Sequence, residues 1–130
     1  MQAGQSALHL SAKDPPQGGA SVLQIKDAFL NYASSEELKD DLKNLCRERM
    51  ARGVREFVVD LSTVKVMDSC GLSVLIGVKK LVEPEGGRLC LIGLSPMICH
   101  LFTITKLDRV FEIHEDERTA VDAFGKPAEA

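Results

Sequence analysis

The feature that most constrains this chain is a rhythm: short apolar runs rich in branched side chains, each parted from the next by a longer stretch with helical spacing. Residues 56–61, reading Glu56-Phe57-Val58-Val59-Asp60-Leu61, have the length and side chains of a strand buried on both faces, and 88–92 and 110–113 repeat the type. Between them the apolar residues change period. Leu38, Leu42, Leu45 and Arg49 or Met50 recur at helical spacing, which predicts a helix over 35–50. Leu72, Leu75, Ile76, Val78, Leu81 and Val82 cover more than one stripe, so the next helix, ending near Val82, must be well buried against a sheet. Strands that alternate with helices in this way pair in parallel through right-handed crossovers, with the helices covering the sheet. The expected class is α/β, with one small mixed sheet of about four to five strands and about four helices.

Punctuation residues set the ends of these elements. The alternating residues 7–12 and 22–25, parted by Asp14-Pro15-Pro16-Gln17-Gly18-Gly19, read as a β-hairpin opening the domain. Ser34-Ser35-Glu36-Glu37 fits a capping box, with Ser34 as the cap of the first helix. Gly53 ends that helix, and Glu83-Pro84-Glu85-Gly86-Gly87 ends the second. Ser95-Pro96 is a cap followed by proline at the first helical position, opening a third helix that reaches about Thr105. A short last helix over 116–124 turns Ala120, Val121 and Phe124 inward. With 130 residues the chain has material for one core. A single domain over 1–130 is expected, with flexible tails at 1–5 and 125–130, and no internal repeat is visible.

Composition then narrows the function. A net charge of −3, with basic and acidic residues interspersed, offers no basic stripe for nucleic acid or an anionic membrane. Aromatic residues are 5% of the chain and Trp is absent, so platforms for stacking bases are missing. The apolar runs are far shorter than the ~20 residues that cross a bilayer, and the N-terminus lacks the charged-then-apolar order of a leader, which points to a cytoplasmic protein with no membrane insertion. The four cysteines, Cys46, Cys70, Cys90 and Cys99, form no CxxC pair and sit in apolar periodic segments, so they read as small core residues. His9, His100 and His114 have no second ligand at helical spacing, and no metal site or cofactor is expected.

The chemistry concentrates at Asp68-Ser69-Cys70-Gly71-Leu72, where an extended loop passes into the first turn of the second helix. First-turn N–H groups lack partners within the helix and the macrodipole makes that end attractive to anions, so a phosphate on Ser69 could be accommodated. Gly71 would let a kinase or a flat partner surface approach closely. The plainer alternative is that Ser69 is only an N-cap contributing ~1 kcal/mol, with Asp68 complementing the dipole and Gly71 an accommodation to packing. These five common residues leave both open. Cys70 at the same helix end keeps an enzyme or redox sensor as a third class; no base stands beside it in sequence.

Four separated segments carry a resemblance. They are Val58-Val59-Asp60-Leu61-Ser62, then Val66-Met67-Asp68-Ser69-Cys70-Gly71-Leu72-Ser73-Val74-Leu75, then Gly86-Gly87-Arg88-Leu89, and last Leu101-Phe102-Thr103-Ile104-Thr105-Lys106-Leu107-Asp108-Arg109-Val110-Phe111. In this order they closely resemble the anti-sigma-factor antagonists, which are bacterial STAS domains, from about Glu36 to Phe124. The resemblance implies the STAS fold, no enzymatic activity and a partner-switching role. An unphosphorylated antagonist binds an anti-sigma serine kinase and so frees a sigma factor; the kinase, which holds the ATP, then phosphorylates the serine after the motif's Asp, here Ser69, and a serine phosphatase restores it. The implied contact surface is Asn31, Asp68, Ser69, Cys70, Gly71 and Leu72. Relatives carry Gly-Glu-Leu-Asp where this chain has Ala28-Phe29-Leu30-Asn31, so Asn31 replaces an acidic contact. The competing expectation is a STAS subunit of a membrane-transport or stressosome-like assembly that makes constitutive contacts. A monomer or weak dimer is expected.

Overall fold

The computed structural model describes residues 10–13 and 20–124, the side chains of 32–34 excepted. A five-stranded sheet runs in the order β1-β2-β4-β6-β7, where β1 is Leu10–Lys13, β2 Ser21–Ile25, β4 Glu56–Asp60, β6 Arg88–Ile92 and β7 Glu112–His114. β1 lies antiparallel to β2, and the other neighbours are parallel. The helices α1 (Tyr32–Ala51), α2 (Ser69–Val82) and α3 (Pro96–Ile104) each connect one parallel strand to the next, and α4 (Glu117–Phe124) closes the chain. The α/β class, the mixed sheet and the four helices match expectation. The beginning of the expected first strand, His9, the Pro-Pro and Gly-Gly turn and the tails lie outside the described residues.

Each inner strand buries both faces, which is why 56–61 and 88–92 show no polar alternation. Leu23, Ile25, Phe57, Val59, Leu89 and Leu91 face the large core, where they meet Leu38, Leu42 and Leu45 of α1, Leu75 and Val78 of α2, and Ile98 and Phe102 of α3. Val22, Val58, Cys90 and Ile92 face the other way, against Ala120 and Phe124 of α4. Ala120 and Phe124 are one helical turn apart and share a face. Val121 does not, and it is exposed rather than inward as expected. Among the cysteines the core reading holds for Cys46 and Cys90, whereas Cys99 is exposed on α3 and Cys70 half-exposed.

A second, two-stranded sheet went unforeseen. β3 (Phe29–Leu30) pairs in parallel with β5 (Val66–Met67), Phe29 opposite Val66 and Leu30 opposite Met67. This ledge moves the start of α1. The chain passes into the helix directly after Leu30, with Ser35 N–H donating to Asn31 C=O at 3.0 Å, so Ser34 lies inside the first turn and is not the cap. The last strand is also displaced, from 110–113 to Glu112–His114, because a 3₁₀ turn over Leu107–Arg109 takes Val110 as its C-terminal residue. Phe111 N–H bonds to Leu107 C=O at 2.9 Å, and its ring packs on Phe102 with centroids 5.8 Å apart.

Candidate functional site

The ledge brings the starts of two helices together. Because Leu30 and Met67 are opposite one another, the residues that follow them, Asn31 and Asp68, open α1 and α2 at matching positions. Asp68 N–H donates to Leu30 C=O at 3.1 Å, which ties the two helix starts to each other. Both helices therefore point their positive ends toward the same patch of surface.

The cap of α2 is Asp68, not Ser69. Asp68 is extended (φ −106°, ψ −170°), and its Oδ1 accepts from Cys70 N–H at 2.9 Å and Gly71 N–H at 3.2 Å. Ser69 is the first residue inside the helix and is exposed. Both residue types cap well; here the carboxylate sits where the backbone is still extended, which is the geometry a cap requires. Two first-turn donors that a phosphate on Ser69 was expected to use are therefore already taken by Asp68.

Gly71 and Leu72 are buried, so they shape the site from below. A Cβ on Gly71 would stand 2.6 Å from Met67 Cγ and 2.9 Å from Leu30 Cβ. Glycine is needed for the first turn of α2 to settle on the ledge, so the open side at residue 71 faces the protein and not an approaching kinase. Around Ser69 a shallow depression of about 300 Å³ lies between the helices, lined by Ser35, Glu36 and Lys39 of α1 and by Ser69, Cys70 and Ser73 of α2. On the other side of Asp68 the ledge presents Phe29, 58% exposed, and Val66, 43% exposed. The expected residues Asn31, Asp68, Ser69 and Cys70 thus meet at one surface, with Gly71 and Leu72 beneath it. Sequence reasoning missed Phe29, Val66 and Lys39, whose placement depends on the β3–β5 pairing and on the packing of α1 against α2.

Comparison with known proteins agrees with this architecture. The STAS domain profile matches residues 14–120, and the chain belongs to the STAS domain family. It is 26% identical over 92 residues to the anti-sigma F factor antagonist of Paenibacillus polymyxa, covering 67% of this chain and 79% of that protein. To the anti-sigma-B factor antagonist of Listeria monocytogenes it is 41% identical over 59 residues, covering 45% of this chain and 52% of the relative. In three dimensions it is similar to the anti-sigma factor antagonist SpoIIAA in its unphosphorylated form, with a TM-score of 0.68 at 16% identity over 92% of this chain and 99% of the other. The phosphorylated form of the Bacillus SpoIIAA gives a TM-score of 0.62 at 17% identity, over 88% and 98% of the two chains. Among the described residues, no helix is long and apolar enough to cross a membrane.

Proposed function

We propose that this chain is an anti-sigma factor antagonist that works by partner switching. Unphosphorylated, it docks the surface formed by Asn31, Asp68, Ser69 and Cys70 on an anti-sigma serine kinase, and a sigma factor is released. The kinase transfers a phosphoryl group from its own ATP to the Ser69 hydroxyl, the complex separates, and a serine phosphatase resets the protein. The chain contributes a surface and an acceptor and performs no catalysis.

The observation that supports this reading best is an exposed hydroxyl at the first position of α2, directly beside an Asp68 carboxylate that has already engaged the Cys70 and Gly71 N–H groups. A phosphate added there brings about −1.5 to −2 charges next to Asp68. With those donors occupied, the dianion projects toward the partner. A partner that has desolvated the patch then faces an unpaired charge costing several kcal/mol, enough to change affinity by about a thousandfold or more.

The test uses the cognate anti-sigma kinase and ATP. Mass spectrometry should show one added phosphate on the wild type and none on Ser69→Ala, while Ser69→Asp should lose kinase binding in calorimetry. Phosphate on another residue, or unchanged affinity in Ser69→Asp, would overturn the switch. Constitutive docking, as in a transporter or stressosome-like assembly, predicts instead that Ser69→Ala and Ser69→Asp co-purify equally well with a stable scaffold.

A further inference from the structure

At the edge of the sheet farthest from β1, parallel register sets Cys90 of β6 opposite Glu112 of β7, and Ile92 opposite His114. Glu112 and His114 are two apart on a strand and share a face. It is the face on which Cys90 packs with Val58, Ile92 and Ala120. One donor atom from each of Cys90, Glu112 and His114 lies within 4.8 Å of the other two. His114 Nε2 is 3.0 Å from Glu112 Oε2. We propose that these side chains bind one divalent ion of the zinc class through the Cys90 thiolate, one Glu112 carboxylate oxygen and the His114 imidazole, with water in the fourth position.

The donor set selects the ion. Thiolate, imidazole and carboxylate together suit a tetrahedral, borderline-soft cation and are a poor match for magnesium or calcium, which prefer oxygen alone. Ligand bonds of about 2.0–2.3 Å place tetrahedral donors about 3.3–3.8 Å apart, so His114 Nε2 and Glu112 Oε2, now 3.0 Å apart, must part by a few tenths of an ångström while the Cys90 sulfur, within 4.8 Å of both, closes by about 1 Å at most. Support for the carboxylate is already in place. Arg88 donates to Glu112 from Nε at 2.8 Å and from Nη2 at 2.7 Å, and its guanidinium lies 5.3 Å from the centre of the Phe124 ring. When Oε2 turns to the ion, Oε1 keeps its bond from Arg88 Nε and stays oriented, as outer partners of metal ligands commonly do.

Access and charge are compatible with binding. Arg88, Glu112 and His114 are among the residues that line an open cleft of about 920 Å³ at this edge of the sheet, together with Lys79, Asp108 and Arg109. Cys90 lies beneath with no exposed surface, so the ion arrives from the Glu112 and His114 side. Burial, then the nearby Glu112 carboxylate, pushes the Cys90 thiol up to about 12. The free thiolate is therefore scarce near neutrality. Binding must displace that proton into solvent, one per ion; the thiolate and carboxylate then offset two of the three positive charges carried by the ion and the Arg88 guanidinium.

The reduced full-length chain should be titrated with Co²⁺. One equivalent should produce thiolate-to-cobalt absorption in the near ultraviolet together with intense visible bands of a four-coordinate ion, and Zn²⁺ should erase both. Cys90→Ser should lose the signal, His114→Gln should weaken binding at least about tenfold, and the Cys70→Ser, Cys99→Ser double variant should retain the wild-type spectrum. Because Cys90 is buried, the more exposed His114→Gln reads the site even if Cys90→Ser folds poorly. Absence of the bands in the wild type, their full survival in His114→Gln, or their loss in the double variant would overturn the assignment. Each outcome is independent of kinase binding.

Discussion

Gly71→Ala is the sharpest perturbation of the site that leaves every charged and hydroxyl group in place. The new Cβ would lie 2.6 Å from Met67 Cγ, 2.9 Å from Leu30 Cβ and 3.2 Å from Leu30 O. Comfortable carbon contacts are about 3.5–4.0 Å, so the overlap approaches 1 Å. Met67 is buried and Leu30 is 1% exposed, which leaves little room for either to yield. The first turn of α2 must therefore lift off the ledge. Overpacking of this kind costs about 1–3 kcal/mol, against which alanine recovers up to about 1 kcal/mol of helix propensity. A net loss of about 1–2 kcal/mol is expected, lowering the urea midpoint by roughly 1 M. Gly77→Ala is the internal control, since its Cβ would meet Lys43 Cε at 3.3 Å and Lys39 Cδ at 3.7 Å, on side chains that can move aside. Gly77→Ala should match or exceed wild-type stability. If the two variants unfold at the same urea concentration, or if Gly71→Ala binds the kinase as tightly as wild type, the idea that the ledge positions Ser69 is wrong.

Three further outcomes follow from the same geometry. Phe29→Glu should weaken kinase binding about tenfold or more by calorimetry while leaving the unfolding midpoint nearly unchanged, because Phe29 is an exposed part of the ledge beside Asp68. Asp68→Ala should cost about 1 kcal/mol in chemical unfolding through loss of the α2 cap, and Asp68→Asn should recover most of it. Hydrogen bonding from the Arg88 guanidinium, opposed by burial and aided by His114, holds the Glu112 carboxyl down at about 2 against an ordinary 4.5. A lowered carboxyl pKa stabilises the fold fully above 4.5 and progressively less as pH falls toward 2, so urea midpoints should drop over that window. Glu112→Gln should cost about 1–2 kcal/mol at pH 7 and flatten the acid limb; an unchanged limb would mean the pair is too solvated to matter.

The elements written in local residue patterns were the ones the sequence revealed. Ser95-Pro96 is such a case: Ser95 Oγ accepts from Ile98 N–H at 3.3 Å and proline occupies the first turn, as expected. The doubly buried strands and the Leu38, Leu42, Leu45 stripe are others. What escaped depends on residues distant in the chain. A two-residue strand has no period to detect, so the pairing of Phe29–Leu30 with Val66–Met67 left no local trace, and without it Ser34 looked like a better helix start than Tyr32. Asp68 and Ser69 are both good caps, and only the backbone dihedrals separate them. The Cys90, Glu112 and His114 group arises from register across two strands, which spacing rules for metal ligands along one segment do not cover.

The ledge also explains why one serine can carry the proposed switch without disturbing the fold. Asp68 anchors α2 through its own carboxylate and through the N–H bond to Leu30, so the helix start is held whether or not Ser69 is modified. Lys39 is the cation that lines the depression beside Ser69, and Glu36 lines it too, so a phosphate there finds little net compensation within the chain. Its free energy is set mainly by what lies opposite. A dianion left in water costs the folded protein almost nothing, and the same dianion pressed against a docked surface costs several kcal/mol. The energetic consequence of modification thus falls on the complex and spares the domain. Comparing the unfolding free energy of phosphorylated protein with that of the unmodified form measures this division directly: a change beyond about 1 kcal/mol would mean that the phosphate acts on the fold, and a docking switch would no longer account for the arrangement.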